Sequence, residues 1–120
     1  MILADSSVWI DHFHGRQKSL SPLLKNKQIL IHPIVLGELA LGQIKNRTQV
    51  LRDLALLPQA MIALDKEVLD LVERRNLFGK GLGWADAHLL ASCLLSGAQL
   101  WTNDKTLLNA ARACNAPFYS

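Results

Sequence analysis

The sequence predicts an α/β fold: a parallel β-sheet of four to five strands flanked by helices on both faces. Two observations carry this. Short apolar runs of strand length, among them "ILA", "QILIH" and "AQLWT", alternate with longer segments of helical pattern. Strands joined through helices in this way run parallel and are covered on both faces. The 120 residues contain no linker, low-complexity tract or repeat, so one domain spanning 1–120 is expected, long enough to bury roughly two-thirds of its unfolded surface.

In order along the chain, residues 2 to 5 read as a short buried strand, and "SSVWIDHFH" as a helix with Ser6 or Ser7 placed to cap it. "SLSPLLKN" reads as a second, short helix. "QILIH" is the next strand, and Pro33 opens a helix predicted to run to about Asn46, because proline is favoured in the first turn. "TQVLRDLALL" makes a further helix that stops before Pro58. "QAMIAL" reads as a strand, after which Asp65 caps "KEVLDLVERRNLF", whose Val68, Leu69, Leu71, Val72 and Leu77 fall near one face. "GKGLG" breaks the chain. It is no Walker loop, which needs a longer glycine spacing and a Ser or Thr after the Lys. "WADAHLLASCLL" is a helix, "AQLWT" a strand, "DKTLLNAARAC" a helix and "PFY" a last strand.

The bulk properties narrow the class. Cys93 and Cys114 lack metal-type spacing and no signal-peptide pattern precedes them, so a reduced, cytoplasmic protein is expected. No apolar run approaches the ~18 residues of a membrane span. A net charge of +3 admits an anionic partner without demanding one.

Four acids stand where a solvated face would not put them. Asp5 ends the first strand and Asp104 follows "AQLWT", both at strand-to-helix junctions, where open α/β sheets keep their chemistry. Glu38 has Ile34, Val35, Leu41 and Gly42 as same-face helical neighbours, and Asp86 is followed one turn on by Leu89 and Leu90. Acids growing from apolar faces toward one place lose solvation and repel one another, and a divalent cation relieves both. Oxygen ligands without cysteine favour Mg²⁺ or Mn²⁺. Singly, Asp104 and Asp86 read equally well as helix-terminus residues, and Asp5 as a strand-end residue bonded to the next turn. Asp65 also ends a strand pattern, and spacing does not separate it from Asp104.

Taken together, "ILADSSVWID", "ELALG", "GLGWADAHLLAS" and "LWTNDKTL" resemble PIN-domain ribonucleases, and within them the VapC-type toxins of bacterial toxin-antitoxin pairs, over the whole chain. The resemblance implies a single PIN-like domain with Asp5, Glu38, Asp86 and Asp104 gathered at one acidic, metal-holding catalytic pocket. It implies supporting roles for Ser7 beside Asp5 and for Thr102, and it leaves Asp65 to capping. The sequence departs from the family at Lys105, where an aromatic residue often stands.

The activity so implied is Mg²⁺- or Mn²⁺-dependent hydrolysis of RNA, with a small antitoxin and a second copy of the chain as partners. The apolar stretches of the helices between 33 and 57 offer surfaces for both, or belong to the core. Lys80, Arg74 and Arg75 are candidates to neutralise phosphates, or else a solvated helix end. Trp9, Trp84 and Trp101 sit in apolar runs and are expected in the core. No histidine is assigned a role. An aspartyl-nucleophile phosphatase would need a second acid where Ser7 stands. A phosphoryl-accepting signalling module would need paired acids after the first strand and a lysine closing the last. A catalytically silent PIN fold that only binds RNA or a partner is the remaining alternative.

Overall fold

A computed structural model describes residues 1–120. The centre is β1 (Ile2–Ala4), paired in parallel with β2 (Ile29–Leu30) on one side and β3 (Gln99–Trp101) on the other. All three residues of β1 are buried, so both faces of the sheet are covered. Seven helices do the covering: α1 (Ser6–Phe13), α2 (Leu20–Lys25), α3 (Pro33–Leu41), α4 (Arg47–Ala55), α5 (Asp65–Arg74), α6 (Trp84–Ser96) and α7 (Lys105–Ala113). Thirty buried residues form one contiguous core.

The sheet has three strands, not the four to five expected. The segments read as outer strands contribute one parallel bridge each, Ile31 with Gln59 and Leu100 with Phe118. Ile31 donates to the Pro58 carbonyl (2.8 Å) and accepts from the Ala60 N–H (2.9 Å), after which His32 and Pro33 turn into α3 and the partner runs out. "MIAL" therefore leaves the sheet: Met61 donates its N–H to Ser96 Oγ (2.9 Å), and Met61, Ile62 and Leu64 are exposed. At the other edge, Leu100 donates to the Pro117 carbonyl (3.0 Å) and accepts from Tyr119 (2.8 Å), bracketing Phe118 alone.

Three helix termini also differ from expectation. Asp5, rather than Ser6 or Ser7, caps α1, its Oδ1 accepting from the Val8 N–H (3.2 Å). α3 stops at Leu41, well short of Asn46. Gly42 takes an extended conformation, Leu41 is 91% exposed and gains nothing from further helix, and the Arg47 guanidinium donates twice to the Ala40 carbonyl (3.0 and 2.7 Å). Asp65 is not the cap of α5. Leu64 holds that position, with its N–H donated to the Glu67 carboxylate (2.8 Å), while Asp65 accepts from or pairs with His88 Nε2 (3.0 Å).

The order β2-β1-β3 positions the site. The chain leaves β1 through α1 toward β2, and leaves β3 through α7 toward the Phe118 edge, so the connections after these two neighbouring strands diverge. This is a topological switch point, where a crevice opens beyond the carboxyl ends of parallel strands. Asp5 follows β1 and Thr102 to Asp104 follow β3 at that crevice.

Candidate active site

Asp5 is the buried floor of the crevice. Its Oδ1 accepts from Ser7 Oγ (2.5 Å) as well as from Val8, and its Oδ2 accepts from Thr102 Oγ1. Each hydroxyl is also an acceptor from the β3–α7 loop: Ser7 Oγ from the Asn103 N–H (3.0 Å) across the crevice, and Thr102 Oγ1 from the Asp104 N–H (3.0 Å) within its own loop. Ser7 and Thr102 thus stitch the ends of β1 and β3 through the Asp5 carboxylate. Burial pushes the Asp5 carboxyl up from its ordinary value, and the hydrogen bonds from Ser7, Thr102 and the α1 backbone oppose that shift.

The remaining acids arrive from three helices. Asp86 stands in the first turn of α6, half-buried. Its carboxyl is pushed up to about 6, first by burial and then by the negative charges of Asp104, Asp5 and Glu38. Asp86 thus feels the charge of each of the other three acids across the crevice. Asp104 caps α7, Oδ1 accepting from Thr106 (2.8 Å) and Leu107 (3.4 Å), so its capping and its place beside Asp86 coexist. Glu38, expected on an apolar helix face, is exposed at the rim, where it accepts from Ser6 Oγ (3.3 Å). Beneath the crevice, burial and the Asp5 charge push the Cys93 thiol up to about 12, which keeps it protonated and inert.

No cation of the protein pairs with these four carboxylates; the ion pairs are Arg16–Asp11, Arg74–Asp70 and His88–Asp65. The charge and the all-oxygen donor set fit a hard divalent cation. No three His, Cys, Asp or Glu side chains converge closely enough to share one ion. A cation here would take one or two carboxylates at a time and keep water in its remaining positions, the usual habit of Mg²⁺. Asp5 has three of about four lone-pair positions occupied, leaving one unused, whereas Asp104 accepts only through Oδ1.

Two further residues, not marked by any sequence motif of the site, contribute. Asn103 donates its side-chain N–H to Asp11 Oδ2 (2.8 Å), and Asp11 pairs with Arg16 (2.9 Å), tying the β3–α7 loop to α1. His32 caps α3 through Nδ1, accepting from Ile34 (3.0 Å), and its Nε2 lies 2.9 Å from Ser92 Oγ. The "HP" dipeptide at a strand-to-helix junction was the available signal for that cap, although not for the Ser92 partner. Among the tryptophans, Trp9 and Trp101 are buried as expected, but Trp84 is 48% exposed, its ring edge-on to His88 at 4.8 Å. Of the candidate basic residues, Arg74 pairs with Asp70 (2.8 Å), Arg75 caps the end of α5, and Lys80 lies between Gly79 and Gly81.

A three-stranded parallel sheet with helices on both faces and an acidic crevice at its switch point defines an open α/β domain, and the chain belongs to the PIN-domain family, whose model matches residues 2–113. Within that family it is similar to the ribonuclease VapC32 of Mycobacterium tuberculosis, in both the CDC 1551 / Oshkosh and the ATCC 25618 / H37Rv strains. The identity is 51% over 108 residues, covering 89% of this chain and 87% of the relative. The crystal structure of PAE2754 from Pyrobaculum aerophilum shares the fold, with a TM-score of 0.63 at 21% identity over 91% of this chain and 84% of that one.

Proposed function

We propose that this protein is a divalent-metal-dependent endoribonuclease of the VapC type, the toxin of a toxin-antitoxin pair. The observation that carries the reading is the set of four carboxylates with no cationic partner at the switch point, in a chain half-identical to a ribonuclease. When bound, Mg²⁺ or Mn²⁺ supplies a more acidic water and offsets charge developing on the phosphoryl oxygens. Asp5 and Asp86 are the principal ligands, Asp104 offers its free Oδ2, and Glu38 at the rim ligates or orients the attacking water. Ser7 and Thr102 hold Asp5 in one orientation, which fixes the direction in which its remaining lone pair points.

The substrate is RNA, with Lys80 and Arg75 neutralising phosphate; Arg74, engaged by Asp70, contributes less. An antitoxin and a second copy of the chain are the protein partners. Leu41 and Leu56, 91% and 81% exposed at the ends of α3 and α4, are the apolar surface there that supports partner binding. No helix is long and apolar enough to cross a membrane, and a cytoplasmic location is proposed with the function.

The test is incubation of purified, antitoxin-free protein with an end-labelled cellular RNA pool, with Mg²⁺ or Mn²⁺, with chelator, and with Asp5→Asn. Discrete fragments that disappear with chelator and with the substitution are expected. Fragments that persist in Asp5→Asn protein would remove Asp5 from the site. Absence of any cleavage would favour the silent RNA- or partner-binding alternative.

A further inference from the structure

A cavity of about 220 Å³ lies alongside α7, between that helix and the loop following α5. Leu77, Lys80 and Leu82 form one wall, and Thr106, Asn109 and Ala110 the other. Gly79 and Gly81 flank Lys80 with φ of 72° and 81°, a left-handed conformation that side chains disfavour. Both walls lead to the acidic site. Thr106 donates its N–H to Asp104 Oδ1 (2.8 Å), and the loop carrying Leu82 runs directly into α6, whose first turn holds Asp86.

Cations stand at both ends of α7: Lys105 follows the Asp104 cap at its start, and at its end the positive charges of Arg75 and Lys80 oppose the upward push of burial on the Cys114 thiol. An RNA strand laid along this helix meets the site's carboxylates near one end and Arg75 and Lys80 at the other. The cavity between them is smaller than the ~300–1,000 Å³ of pockets for drug-sized ligands, so it takes one ring system rather than a dinucleotide. Leu77, Leu82 and Ala110 offer apolar surface to the faces of a ring. Thr106 and Asn109, one turn apart on the same helix face, offer a hydroxyl and an amide to its edge. A base reaches such a slot only when unpaired and unstacked.

We propose that this cavity holds one unpaired RNA base next to the bond to be cut, with Asn109 reading the base edge and Lys80 holding the adjoining phosphate. The proposal rests on the endoribonuclease reading. An Asn amide presents one donor and one acceptor, and so selects a base edge with the complementary pair. Replacing it by Asp leaves acceptors only, which match the two adjacent donors on the Watson–Crick edge of guanine.

The experiment is sequencing of fragments from a random single-stranded RNA library cut by the parent protein, N109D, N109L and Asp5→Asn, after melting curves show that each is folded. The expected result is a base preference at one position beside the cut, shifted about five-fold or more toward guanine in N109D and flattened in N109L. Superimposable profiles from Asp5-dependent cleavage would overturn the cavity's role while leaving the nuclease reading intact. Absence of cleavage by the parent protein would overturn the nuclease reading, and a binding arm then decides the cavity separately. In that arm Asp5→Asn protein is titrated with a short single-stranded RNA and its amide resonances followed. Shifts at Lys80, Thr106 and Asn109 support the cavity, and shifts confined elsewhere overturn it.

Discussion

The hydroxyl of Thr102 donates to Asp5 Oδ2, joining residues 97 apart in the sequence, and Thr102 Oγ1 in turn accepts the N–H of Asp104. One small side chain thereby fixes both the deepest acid of the site and the loop that carries another.

Thr102→Val keeps the shape and removes the hydroxyl, leaving Asp5 Oδ2 and the Asp104 N–H without that partner. The expected cost is about 1–3 kcal/mol of stability, with a larger proportional loss of cleavage, since Asp5 is then free to turn. Chemical denaturation and a cleavage assay on the same preparation check it; unchanged stability and activity would remove Thr102 from the support of the site.

Ser7→Ala breaks the parallel stitch to Asn103 at a less buried position, so its stability cost is expected to be smaller, about 0.5–1.5 kcal/mol. The double variant with Thr102→Val should depart from additivity because both act on one carboxylate. Urea unfolding of the four proteins of the cycle measures the coupling.

Asp86 makes metal-free stability depend on pH. Its carboxyl is raised to about 6 in the folded protein, from an ordinary value of 3.8, so between these values the folded state holds the proton more tightly. Stability is therefore greatest on the acid side of this window and falls as pH rises from about 4 to about 6. Melting temperatures in chelator across that range should show a smaller fall in Asp86→Asn than in the parent, the remainder coming from Asp5, whose carboxyl is also raised. Added Mg²⁺ at neutral pH should restore stability by mass action.

His32 acts with the opposite sign. Burial, with the charge of His88 adding to it, lowers its folded value below 6.5, so the unfolded chain takes up a proton first as pH falls. The His32 contribution is complete above about 6.5 and is lost below it. His32→Asn retains an N-cap for α3 while removing the titration. Its unfolding free energy should decline less than the parent's between pH 7 and 5.

Much of this was legible in the chain because strand ends and helix starts leave local marks. "ILAD" and "LWTND" are short apolar runs closed by a polar residue, and both lie at the crevice. The two outer strands were misread because a strand depends on the length of its neighbour. "QAMIAL" has the right composition, but Ile31 exhausts β2 and sends the chain into α3. Capping was misassigned at Asp5 and Asp65 for a related reason. Ser6, Ser7 and Asp65 are all good caps by type, and only the backbone turn decides which side chain faces the free N–H groups. Trp84 shows the limit of reading burial from apolar neighbours, since helix α6 turns its first residue outward. The convergence of four acids was suggested by family resemblance, because spacing alone did not separate Asp65 from Asp104.

The central question is whether the four carboxylates hold the divalent ion on which RNA cleavage depends. The most direct measurement is the single-turnover rate of cleavage of one mapped RNA site against Mg²⁺ concentration, for the parent and Asp86→Asn. Saturable Mg²⁺ dependence is expected in the parent, with a rate at least about a hundredfold lower in the variant at any Mg²⁺ level, in line with the loss of a group that stabilises the transition state. Equal rates in the two proteins, or cleavage undiminished by chelator, would contradict it.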